Sequence, residues 1–210
     1  GRSATLVHSL SHHMQLSRLF YAGFRGSCFQ YAVLVVLVFS GQACVDTETP
    51  SLTIEEVRDP ESCRGCHPVH YEEWAGSMHA YAADDPVFIA MNERGQRETN
   101  GELGDFCVQC HAPMAVVLGE TTDGLNLDEV PRFLKGVTCA YCHQVDGVEG
   151  ADNAQLHLSE DGVMRGGIEA PVHTGAHDSE YSVLHDRNDL RSSDLCGPCH
   201  DVVTPAGVHL

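Results

Sequence analysis

The sequence predicts a mainly α-helical domain with extensive irregular loops, and three observations carry that expectation. One five-residue pattern, Cys-x-x-Cys-His, occurs four times: Cys63–His67, Cys107–His111, Cys139–His143 and Cys196–His200. Between the copies lie short stretches that read as helices, each soon broken by polar, Gly- or Pro-bearing segments. No stretch alternates apolar and polar residues long enough to propose a sheet.

Cys-x-x-Cys-His is the attachment pattern of c-type haem. Two cysteines three apart bond the two vinyl-derived carbons of one porphyrin, and the adjacent histidine falls beneath the iron as its proximal ligand. The pattern implies four covalently attached haems. Cys63, Cys66, Cys107, Cys110, Cys139, Cys142, Cys196 and Cys199 are the anchors, and His67, His111, His143 and His200 the proximal ligands. Zinc ribbons also use paired Cys-x-x-Cys units, but nothing in them requires a histidine after every second cysteine. A thioredoxin-like pair occurs singly near a βαβ pattern, and a disulfide framework would not repeat one gap four times.

Residues 1–44 carry Arg2, Arg18 and Arg25 and no acidic residue, and they lead into the apolar run Tyr31–Phe39. Nine apolar residues fall short of the roughly 20 that span a bilayer. A basic start, a short apolar run and the small residues before Cys44 describe a secretory signal peptide, with Met14 as its start. Cys44 after Ala43 favours a lipoprotein anchor over plain secretion, although Gly41 stands where a leucine is usual. An exported protein fits haem attachment, which occurs on the periplasmic side in a diderm bacterium. Of ten cysteines, only Cys28 and Cys44 lie outside the motifs, both in the targeting segment.

Residues 45–60 read as a polar tether and 61–210 as the tetrahaem domain. Removing 1–44 leaves 9 basic against 30 acidic side chains. A negative field repels phosphate, which disfavours nucleic acid; the acidity reads equally as an ordinary solvated surface of an exported protein or as steering toward redox protein partners with basic docking surfaces. So polar a chain has little aliphatic core, so the domain must wrap compactly around its haems.

Along the domain, residues 67–83 read as one helix with Pro68 in its first turn. It puts His67, Tyr71, Trp74 and Met78 on one face. His79, twelve residues after His67, rises about 18 Å along a continuous helix and cannot reach the other side of the same iron. As a distal ligand it would serve a different haem. Asp85-Pro86 starts a second short helix through Met91. Residues 92–106 and 119–126 read as loops, and Leu127–Lys135 as a further short helix. The distal candidates are His79 first, then His173 and His177, then His157 and His185, with His70 and His209 last. Met91 and Met114 read as core packing. Largely bis-histidine ligation leaves no open iron position.

These residues resemble the multihaem cytochrome family of the tetrahaem protein that accepts electrons from hydroxylamine oxidoreductase. The most specific pieces are Cys63-x-x-Cys66-His67 with Trp74 and His79 at the family's offsets, and Gly136-Val-Thr-Cys139-x-x-Cys142-His143. The resemblance implies haems in closely stacked pairs, a distal role for His79, and one haem that can lack a distal ligand. It departs after the third motif, where the next histidine is His157. The expected function is electron transfer in the periplasm. The alternative is an oxidoreductase acting on a small nitrogen or sulfur compound at a five-coordinate haem. The chain stops ten residues after His200, which suggests a C-terminal truncation and a subunit of a larger multihaem complex.

Overall fold

The computed structural model describes residues 51–210. The targeting segment, Cys44 and the start of the tether lie outside the described residues. Among the described residues, no helix is long and apolar enough to cross a membrane.

The expected tether becomes structured at its end. α1 (Ile54–Arg58) opens on a capping box, in which Thr53 and Glu56 satisfy each other's backbone N–H groups. Val57 is buried beneath it. α2 (Pro60–Arg64) follows at once, capped by Asp59 with proline in its first turn. The sequence signals were local and legible, but polar composition outweighed them.

The single helix expected over 67–83 is two. α3 (Pro68–Ala75) ends at Gly76, and α4 (Met78–Tyr81) restarts with the Ser77 side chain accepting from Ala80 N–H. Ser77 Oγ also donates to Trp74 O, so one hydroxyl stops one helix and starts the next. Met78 is therefore off the Trp74 face and exposed.

α5 (Pro86–Glu98) runs seven residues past its expected end. Its buried face is Phe88, Asn92 and Gln96, and the two amides hid it from a hydrophobicity reading. Asn92 donates to Asp123 O, and Gln96 donates to Gly104 O and Asp123 O. Burying amides is tolerable only with such partners. Met91 is exposed and not in the core, whereas Met114 is buried.

α6 (Val108–His111) and α7 (Pro113–Val117) pack against this helix; Phe88, Val108, Met114, Leu127, Val130, Leu134 and Tyr141 form the main apolar cluster. The helix expected over 127–135 reduces to one 3-10 turn, Arg132–Leu134, after Pro131. α8 (Cys139–His143) and α9 (Gly197–His200) carry the last two motifs.

Two small sheets were not foreseen. β1 (Val145–Val148) pairs antiparallel with β2 (Leu156–Leu158), and β3 (Met164–Gly166) pairs parallel with β4 (Ser179–Tyr181). Strands of three or four residues are too short to leave a period-two signature. Helices and irregular segments nevertheless dominate, as expected.

Candidate haem sites

All four motifs fold into the same turn. The second cysteine's N–H donates to the first cysteine's carbonyl in motifs one, two and four, at 3.2, 3.3 and 3.2 Å. The third motif lies within α8, which Thr138 caps by accepting from Tyr141 N–H. Residues three apart on a helical turn share a face, so each turn presents two thiols side by side. Pro68 and Pro113 begin the helices after the first and second motifs, and Pro198 lies in the first turn of α9.

The histidines differ in what faces them. His67 and His177 have ring centroids 6.3 Å apart, His79 and His200 6.1 Å, and His143 and His185 5.6 Å. A metal–imidazole bond is about 2.0 Å long, so two imidazoles held by one iron have centroids roughly 6 Å apart. These three pairs fit that spacing. His70 also lies 6.2 Å from His67. It follows His67 by three residues, is exposed, and turns its Nδ1 toward Glu73 at 3.8 Å.

His111 meets no histidine among the described residues. Its ring lies against Phe88, with centroids 4.0 Å apart and planes 5° from parallel. His111 Nδ1 is 2.9 Å from Ala82 O, and His143 Nδ1 is 2.5 Å from Arg165 O. A hydrogen bond from one ring nitrogen to a carbonyl leaves the other free to ligate a metal, and holds the ring in place. His185 presents a complementary detail. Its Nε2 is 2.8 Å from Cys142 O, while its Nδ1 is buried without a protein partner. A buried orphan nitrogen beside a proximal histidine suits an iron ligand.

Burial pushes the His67 imidazole below its usual pKa, helped by repulsion from His177, His70 and His143. Burial also lowers His185, opposed by the Cys142 carbonyl, with His143 and Arg165 lowering it further. Both effects favour the neutral ring that binds metal.

The motifs meet in twos. The Cys63 and Cys139 thiols lie close together, which raises the Cys63 pKa and lowers that of Cys139. Cys110 and Cys199 form a second such contact, with Cys110 raised and Cys199 lowered. Burial pushes Cys142 up to about 11. Thioether sulfurs do not titrate, so in the haem-bound protein these contacts record proximity only. Among the described residues, no group of three or more His, Cys, Asp or Glu converges as a metal-ion cage.

The remaining histidines divide clearly. His173 is exposed on the loop between β3 and β4, away from any proximal histidine ring among the described contacts. His177, on the same loop, is half-buried and bonded through Nδ1 to Ser179 Oγ at 3.3 Å. His157 pairs with Asp146 at the sheet surface, and His209 lies near Asp201. Sequence reasoning ranked His185 below His173, and gave Phe88 and Arg165 no role. His185 closes a 3-10 turn 42 residues beyond His143, and no local pattern marks it.

Comparison with known proteins agrees with this chemistry. The family described as cytochrome c554 and c-prime matches residues 62–144, which is less than half of the chain. A penta-haem cytochrome c552 from Thermochromatium tepidum is similar in structure, with a TM-score of 0.52 and 27% sequence identity. The similarity covers 74% of this chain and 49% of that one, so the chain spans about half the length of that protein. No curated protein matches. Both likenesses are to cytochromes c, the second of them penta-haem, and they support covalently bound c-type haem on this chain.

Proposed function

We propose that this chain is a tetrahaem electron-transfer cytochrome, with one haem on each Cys-x-x-Cys-His turn. The observation that best supports this reading is the roughly 6 Å spacing between three proximal histidines and three others, which suits one iron shared by each pair. When bound, haem supplies a one-electron iron couple at each site. The chain's own residues anchor it through eight cysteines and hold its iron through His67, His111, His143 and His200. His177, His79 and His185 close the other side at the first, fourth and third motifs respectively. At those three sites two histidines per iron would lower the potential and leave no coordination position open.

The contacts Cys63–Cys139 and Cys110–Cys199 support haems in two close pairs, first with third and second with fourth. Close pairs suit passing electrons along a short path. The excess of acidic over basic side chains, 30 against 12, supports a redox partner with a basic docking surface. The reading places the protein in the periplasm, exported through residues 1–44 and either anchored by lipid at Cys44 or released.

Haem content tests the count. The alkaline pyridine spectrum and the intact mass of the exported protein should both give four haems per chain. Three or fewer would sink the tetrahaem reading.

A second reading is favoured by one observation: among the described residues no histidine ring lies at that spacing from His111, whose own face is covered by Phe88. A haem held there by Cys107, Cys110 and His111 alone would supply an iron site for a small nitrogen or sulfur compound. Failure of the reduced protein to bind carbon monoxide or nitric oxide would remove this alternative.

A further inference from the structure

The stretch just before the third motif, Gly136-Val137-Thr138, lies across the peptide that carries His79. Val137 N–H donates to His79 O at 2.8 Å. Val137 O in turn accepts the indole N–H of Trp74 at 2.8 Å, across 63 residues of sequence. Trp74 lies in the helix that follows the first motif, and Ser77 ties its carbonyl to the start of α4. Gly136 is buried, with a φ of +72° that suits glycine. A Cβ there would sit 2.6 Å from both His79 O and Ala80 O. Two rigid backbone carbonyls cannot give way as a flexible side chain would.

The third motif needs none of this for its own turn, since Thr138 alone caps α8. Glycine at 136, the backbone of Val137 and the indole of Trp74 converge instead on the backbone of His79. We propose that Gly136, Val137 and Trp74 are a latch that positions His79 against His200. The leading segment of the third motif and the helix of the first would then jointly set the coordination of the haem on the fourth. Trp74 and Gly136 act through His79 and touch no iron themselves. The inference rests on His79 being the ligand opposite His200.

The test compares three variants of the full haem-loaded chain, His79→Ala, Gly136→Ala and Trp74→Phe, by electron paramagnetic resonance and by carbon monoxide bound per haem. His79→Ala should convert one haem of four from low to high spin and add one carbon monoxide per chain. Gly136→Ala should produce the same new high-spin signal in most molecules. Trp74→Phe, which keeps the aromatic ring but removes the N–H, should produce it in a smaller fraction. If His79→Ala leaves the spectrum unchanged, the ligand assignment fails. If His79→Ala changes it but Trp74→Phe and Gly136→Ala keep all wild-type low-spin signals, the latch fails and the ligand stands. Should Gly136→Ala not mature, Trp74→Phe decides alone: a wild-type spectrum overturns the proposal.

Discussion

Three proximal histidines face another histidine, and the one on the second motif faces a phenylalanine. The two surroundings are built from different materials. His177 and His185 come from the irregular region beyond β3, and His79 from a four-residue helix, so each pair joins distant parts of the chain. Phe88 belongs to the main apolar cluster among the described residues, and α5 thereby lays a flat ring parallel to the His111 imidazole. Irregular segments and short helices thus supply the facing histidines, and the histidine beside the apolar cluster has no such partner among the described residues.

The largest effects should come from exchanging one kind of surrounding for the other. His185→Ala and His177→Ala should each convert one low-spin haem to high spin and raise carbon monoxide binding by one equivalent per chain. His173→Ala should leave both unchanged, because His173 is exposed and faces no proximal ring. A His173→Ala change equal to that of His177→Ala would break the distinction between them.

Phe88→Ala attacks the other surrounding. Phe88 is 6% exposed, and emptying such a site costs about 3–5 kcal/mol. Urea unfolding of the haem-loaded protein should show that loss. The high-spin signal of the His111 haem should broaden as its imidazole loses its parallel neighbour, with the three low-spin signals kept. An equal disturbance of all four signals would mean that the ring serves packing alone.

Thr138→Ala removes the cap of the third motif's turn and should cost about 1 kcal/mol. The midpoint of the same urea titration measures it. The smallest effect belongs to the sheet surface. The carboxylate of Asp146 accepts a hydrogen bond from His157 and raises its pKa above the usual value. A raised folded-state pKa stabilises fully below the unfolded value of about 6.5, and that contribution fades as pH rises through the folded value. Asp146→Asn should bring the His157 titration, followed by NMR, back toward the ordinary range. The stability difference between the two proteins should vanish at alkaline pH, and a difference that persists there would point to a cause other than this pair.

How much was legible follows the range of the interactions involved. The haem turns are local, five residues each, and their chemistry is written in residue type and spacing. Asp85-Pro86 announced α5 for the same reason, since a cap and a first-turn proline act within one turn. Its end was lost because Asn92 and Gln96 look polar and become buried only by finding carbonyls 8 to 31 residues away. The break at Gly76 depends on Ser77 bonding to Trp74, a choice that composition does not reveal. The facing histidines were the least legible. His79 had an offset to argue from, whereas His177, His173 and His185 shared one irregular stretch, and only tertiary contact separates them. Phe88 was invisible as a site residue, because an apolar side chain carries no mark of the ring it will lie against.

The central proposal is that His67, His143 and His200 each share an iron with a second histidine, whereas His111 has no such partner among the described residues. Carbon monoxide titration of the reduced, haem-loaded protein, followed optically and expressed per chain, tests it most directly. The account predicts one carbon monoxide for every four haems, and the Phe88→Ala variant should change the spectrum of that carbonyl complex. No binding would mean a ligand closes the His111 site, and two or more equivalents would mean that a facing histidine pair does not hold its iron.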